Sequence, residues 1–314
     1  MAISVTLQIA LYVLIGVLVR RLKLVSENFT KDLTRFVMDV SLPCLVINAL
    51  VGQSKENFGT EMVLLLPLGG IVFFVVLFTA AQILFRILKK TDAAHCVRFC
   101  TVFSNFTFVG VPVVEGVYGA EGLFAFMLFY TPLRILYYIM APILINANHA
   151  TDFRSRLREL REILLTPAVL STGVGILLFL LKVQLPDFLS NTIKTVGATC
   201  SPLAMIISGM TLGSMNFRQM THDGTAWSMV SVCNFLSPTI MLAAVLLLPF
   251  PDRIRMIMVL TAAMPIPSLL ITYTIRFGLS ERLCQSTSLA MLVSTLISVA
   301  SIPLWITVAE WAIF

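Results

Sequence analysis

Stretches of about 20 residues with scarcely a charge follow one another along nearly the whole chain, and the loops between them are too short to fold alone. A bilayer's hydrocarbon core is crossed by a run of that length at a rise of about 1.5 Å per residue, and only a helix or a closed barrel can satisfy its backbone there. Hydropathy puts ten such helices at 2–19, 30–52, 62–86, 94–117, 122–146, 166–183, 190–214, 225–248, 255–275 and 284–308. Charged residues make up 12% of the chain, where a soluble domain carries about a quarter, so no separate soluble domain is expected. The opening run, "MAISVTLQIALYVLIG", lacks a basic leader and is followed by Arg20, Arg21 and Lys23, so it reads as the first span and not as a cleavable signal.

Basic residues set the expected orientation. Sixteen Lys and Arg fall on or beside one set of alternate loops and five on or beside the other, leaving Arg134 alone near the centre of a span. The rule that cytoplasmic loops are the positive ones then places the termini outside the cytoplasm. The net charge of +6 reports topology and not nucleic-acid binding. The one sizeable loop, 148–165, alternates Phe153, Leu157, Leu160 and Leu164 with Arg154, Arg158 and Arg161, the pattern of a short basic helix lying on the cytoplasmic surface.

Five spans lie on either side of that loop, and the halves echo each other. "VSLPCLVINALVG" (Val40–Gly52) parallels "CSPLAMIISGMTLG" (Cys200–Gly213); Val111-Pro112 precedes Tyr118 as Ile266-Pro267 precedes Tyr273; Pro142 and Pro303 close the fifth spans. An odd number of spans per half inverts the second copy, which gives an all-α polytopic fold of two inverted five-helix repeats, 1–147 and 166–314. Within it "FSNFTFVGVPVVEGVYG" is unsuited to a plain lipid-facing helix, because Pro112 removes an amide donor and Gly110 and Gly116 admit another backbone. Pro265 and Pro267 do the same in span nine. Broken helices four and nine crossing at midplane would bring Asn105 and backbone dipoles of Gly110, Val111, Pro112, Pro265, Ile266 and Pro267 together, a site for an anion.

"FSNFTFVGVPVVEGVYGAEGL", "TPAVLSTGVGILL", "CSPLAMIISGMTLG" and "MPIPSLLITYTIRFG" with its later "STLISVASIPLW" resemble the auxin efflux carrier family, bacterial permeases related to the membrane part of plant PIN-type carriers. The resemblance runs over nearly the whole chain. It implies ten spans, a crossover at Pro112 and Pro267, and transport of small organic carboxylates by alternating access, with spans one, two, six and seven as scaffold. The long hydrophilic central loop of the plant branch is missing, and its phosphorylation control is not implied. Span three offers Gln82 and no acidic and basic pair.

Ionisable groups inside a membrane are costly and mark pathways or pairs. Arg134 in span five has two readings, an ion pair with Glu115 or a hold on a substrate carboxylate. Asp39 lies near the cytoplasmic end of span two, one turn from Arg35, as a surface pair or a proton-carrying group. Asn48, Ser208 and Asn234 reach a cavity or bond a neighbouring helix, while Trp305 and Trp311 fit an outer aromatic belt. The six cysteines show no CxxC pair, and His95, Cys96 and Cys100 lack a fourth ligand, so neither metal nor cofactor is expected. Asp39 is the aspartate that reaches furthest into a span and no histidine lies centrally, which argues against an intramembrane protease and against an enzyme in general. Expected partners are a small organic anion and the bilayer of the plasma membrane; a homodimer is left open. A channel or sensor on the same fold is the competing reading.

Overall fold

In a computed structural model of the chain, residues 2–26, 28–51, 60–88, 91–145, 161, 165–181, 183, 185–213 and 223–314 are described. Apart from Arg161 and Leu165, the basic segment 148–165 lies outside them. Every regular element among the described residues is helical. They are α1 (Ala2–Arg21), α2 (Phe29–Phe36), α3 (Leu42–Val51), α4 (Thr60–Ile87), α5 (Asp92–Val102), α6 (Val111–Ile145), α7 (Pro167–Leu181), α8 (Asp187–Ala198), α9 (Cys200–Gly213), α10 (Gly224–Ser231), α11 (Ser237–Leu247), α12 (Asp252–Ala262), α13 (Leu269–Arg276) and α14 (Glu281–Ile313). Among these residues six helical stretches are long and apolar enough to cross a membrane, Phe29–Val51, Glu61–Ile87, Asp92–Tyr137, Asp187–Thr211, Gly224–Leu247 and Glu281–Ile313, and Val169–Leu181 is a shorter apolar helix. The protein is a multi-pass helical membrane protein.

Proline explains much of how the long stretches are subdivided. Three π turns, Val37–Ser41, Phe106–Gly110 and Val232–Leu236, each end two residues before a proline: Pro43, Pro112 and Pro238. A proline ring collides with the carbonyl four residues earlier and cannot donate to it, and widening the preceding turn relieves the collision. For Pro238 the orphaned carbonyl belongs to Asn234, and the indole N–H of Trp305 donates to it at 2.9 Å. Trp305 therefore turns its polar edge inward instead of serving an outer belt, whereas Trp311 is 87% exposed. At Gly119 the α6 backbone turns over with φ 63° and ψ −160°, a conformation that a side chain would strain.

The helices gather into two compact units, and each takes helices from both halves of the sequence. The first comprises Met1–Leu64, Thr107–Thr131 and Phe153–Met215. In it α1 lies against α9 with Gly16 and Gly209 at the contact, and Gly197 of α8 lies against the backbone of Leu45. Leu42, Leu45, Val46 and Leu50 fill its interior. The second unit comprises Leu65–Phe106, Pro132–Asp152 and Asn216–Phe314. Its centre is aromatic, with the Phe103 ring edge-on to Tyr137 at 4.6 Å and Phe99 beside both. The end of α6 is held there: Arg98 donates to the carbonyl of Ile143 at 3.0 Å, the His95 ring meets that of Leu144 at 3.1 Å, and the Arg98 guanidinium lies over the Phe85 ring. These are carbonyls a helix C-terminus leaves unpaired, so both side chains act as caps.

Just outside the membrane-spanning part of the second unit, Asp223 caps α10 by accepting from the amides of Thr225 and Ala226, at 3.0 and 3.1 Å, and it accepts from the Ser286 hydroxyl of α14 at 2.5 Å. Burial alone would raise its pKa; the hydrogen bonds from Ser286, Ala226 and Thr225, with Arg282 nearby, outweigh it and hold the carboxyl below its ordinary range.

Candidate functional site

Two helices of the second unit stop where the sequence breaks them. α5 ends at Val102 and the chain turns extended at Phe103, with φ −118° and ψ 134°; α12 ends at Ala262, and 263–268 carry the chain to α13 without helix. The loose ends are tied to each other. The Asn105 amide donates to the carbonyl of Pro265 at 2.7 Å, and the Ser104 hydroxyl donates to the carbonyl of Thr261 at 2.7 Å. Breaking a helix leaves carbonyls and amides without partners, and inside a membrane each must find one within the protein.

The supporting layer completes that requirement. The Ile266 amide donates to the Ser294 hydroxyl at 3.0 Å, and that hydroxyl donates to the side-chain oxygen of Asn234 at 2.5 Å. Asn234 returns a bond from its side-chain amide to the carbonyl of Ser294 at 3.1 Å. The Cys233 thiol meets the carbonyl of Met264, and the Ser237 hydroxyl donates to that of Thr101 at 3.0 Å. Asn234, Thr261, Ile266 and Ser294 are fully buried. Asn234 thus bonds a neighbouring helix, the second of its two readings.

This arrangement narrows what the break can offer a ligand. The sequence suggests freed amides as donors, yet the Asn105 and Ile266 amides are spent inside the protein, and Pro265 and Pro267 have none to give. Asn105 is half-buried, whereas Pro265, Ile266 and Pro267 are buried. Gly110, Val111 and Pro112 are buried as well and continue the segment in the first unit.

The other expected residues fall in both units. Arg134 is 7% exposed on the part of α6 in the second unit, and half-buried Gln82 lies on α4 in the same unit. In the first unit Asn48 is half-buried on α3, and the Ser208 hydroxyl bonds the Ala204 carbonyl of its own helix at 3.0 Å. Asp39 is exposed on a π turn, and among the described residues no ion pair joins it to Arg35; the widened turn changes the angular spacing on which the i, i+4 expectation rests. Glu115 is half-buried and accepts a hydrogen bond from Ser201 of α9. Ser104, Ser201, Thr261 and Ser294 escaped sequence reasoning, because single hydroxyls in apolar helices carry no periodic signal; for Ser294 the "STLIS" motif was the available hint. Elsewhere in the second unit a cleft of about 750 Å³, lined by Leu84, Thr91, Ala94, Val97, Thr225 and Trp227 among others, opens at the ends of α4, α5 and α10.

Comparison with known proteins agrees with a membrane transport protein. An uncharacterized transporter of Methanothermobacter thermautotrophicus is 25% identical over 303 residues, covering 95% of each chain. Residues 1–306 match the family model described as membrane transport protein. With nearly all its residues inside that match, the chain belongs to the membrane transport protein family, the auxin efflux carrier family that its motifs resemble.

Proposed function

We propose that the protein is a secondary transporter that exports or exchanges a small organic carboxylate, such as an auxin-like acid, malate or malonate, by alternating access. The observation that carries this reading is the bond from Asn105 to Pro265, which ties two helix breaks together. A plain helical bundle has no need of such breaks; transporters place them where a solute binds. On this reading the chain forms ten spans in two inverted repeats, with helices four and nine crossing at Pro112 and Pro267. Spans one, two, six and seven, which are α1–α3 and α7–α9, are the scaffold, and the remaining spans with their crossover move. Asn105, Arg134, Asn48 and Ser208 are the polar side chains assigned to the carboxylate, alongside the segments Gly110–Pro112 and Pro265–Pro267. The protein sits in the plasma membrane with both termini extracytoplasmic, which an impermeant label on a cysteine introduced after Phe314 reads directly; labelling only after the membrane is opened would reverse the orientation. A homodimer is the proposed assembly.

Thermal-shift screening of carboxylic acids against purified protein tests the substrate class. A true ligand at a hundredfold excess over its Kd stabilises the folded state by about 2.7 kcal/mol. Asn105→Leu is expected to abolish that shift, while Asn105→Gln keeps part of it. Normal ligand-induced stabilisation in Asn105→Leu would remove the residue from the site. Saturable uptake with counterflow distinguishes a carrier from a channel or sensor.

A further inference from the structure

Glu115 lies in the first unit. This residue stands three positions past Pro112, in the first turns of α6, and is half-buried within an apolar span. Its carboxylate accepts a hydrogen bond from the Ser201 hydroxyl at the start of α9. Helix geometry is interrupted next to that serine: α8 stops at Ala198, Thr199 forms a turn, and its hydroxyl lies 2.9 Å from that of Ser41, the last residue of the π turn Val37–Ser41. Two bonded pairs, Glu115 with Ser201 and Ser41 with Thr199, therefore stand on either side of Cys200 in sequence. Among the described residues no Lys, Arg or His pairs with Glu115, and the titratable group that faces it is the buried thiol of Cys200.

A hydroxyl–carboxylate bond could serve only to fasten α6 to α9. A glutamine would fasten them equally well, without bringing a charge that has no counter-ion into a membrane-spanning segment. Such charges are expensive there and are associated with proton and ion pathways. Protonation removes the cost.

We propose that Glu115 is the proton-binding site that couples proton movement to movement of the carboxylate, a step that rests on the transport reading above. In the outward or inward open state one carboxylate oxygen takes a proton from water, forming an O–H bond, while Ser201 keeps its hydrogen bond to the other. Release breaks the same O–H bond on the opposite side. Neutral Glu115 no longer repels an anion bound near the Pro112 break on the same helix, so proton and anion bind together and travel together.

Two measurements on the full-length protein separate this step from the reading beneath it. Infrared titration of the purified transporter is expected to show a carboxyl C=O band that appears on acidification, is absent in Glu115→Gln and moves in frequency in Ser201→Ala, where its hydrogen bond is gone. In proteoliposomes loaded with a pH-sensitive dye, an inward malate gradient is expected to acidify the lumen with wild type and not with Glu115→Gln; malonate is the second probe. Glu115→Asp, which keeps a titratable carboxyl but falls short of Ser201, should carry protons with a displaced pH dependence, and it serves if the glutamine variant does not fold. Identical infrared titrations of wild type and Glu115→Gln would overturn the proposal, as would malate or malonate uptake that moves no protons. If neither acid enters at all while the Glu115 band still titrates, the substrate class fails and the proton site stands.

Discussion

Gly209→Leu is expected to prevent the first unit from assembling, lowering the thermal midpoint of the purified protein so far that little folded material survives extraction. A Cβ at Gly209 would stand 2.0 Å from the carbonyl oxygen of Val13 and 3.0 Å from the Cα of Gly16; one at Gly16 would stand 2.1 Å from the carbonyl of Ile206. The obstacles are backbone atoms, so no rotamer change gives way and the axes of α1 and α9 must separate. Without a hydrophobic force between helices in lipid, close backbone approach through small residues is what holds such a pair. Overpacking an ordinary core costs roughly 1–3 kcal/mol, and a collision with backbone belongs at or above the upper end. Gly173→Ala is the control, since nothing lies within 4 Å of its Cβ and the change should be nearly neutral. The six free cysteines, four of them buried, allow a thiol-reactive dye to report unfolding. A wild-type midpoint for Gly209→Leu would contradict the α1–α9 contact.

What the sequence reveals of this architecture follows from the range of the signals. Apolar runs are local, so hydropathy places a stretch at 30–52 where helical structure runs Phe29–Val51, and one at 225–248 where it runs Gly224–Leu247. Proline chemistry is local too, and Pro265 and Pro267 mark the interruption after α12. The π turns ahead of Pro43, Pro112 and Pro238 are not announced in the same way, because whether a helix widens, kinks or stops at a proline depends on who satisfies the carbonyl it abandons. For Pro238 that partner is Trp305, 71 residues from Asn234 in sequence. Glu115 shows the same limit. A charge in a span demands a partner, which sequence reasoning seeks among the rare opposite charges and finds in Arg134; the structure supplies Ser201, 86 residues away.

Ser294→Ala is expected to have the second large effect, and to act on the break itself. One hydroxyl there serves two fully buried groups, accepting from the Ile266 amide and donating to Asn234. Removing it strands a donor and an acceptor where water does not reach, and each such loss costs about 1–3 kcal/mol, so the pair sums to roughly 2–6 kcal/mol. Asn234 keeps its bond to the Ser294 carbonyl, which survives the substitution, so α14 stays attached and the damage centres on the Pro265–Pro267 segment. Fast hydrogen exchange at the Ile266 amide, a depressed thermal midpoint and loss of ligand-induced stabilisation should appear together. Ser294→Thr keeps the hydroxyl and adds a methyl group to a packed site, so it should restore the slow exchange of Ile266 even where the midpoint stays below wild type. That contrast separates the hydrogen bond from packing in general: if alanine and threonine lower the midpoint equally and leave Ile266 equally protected, the amide has another partner and Ser294 does not hold the break.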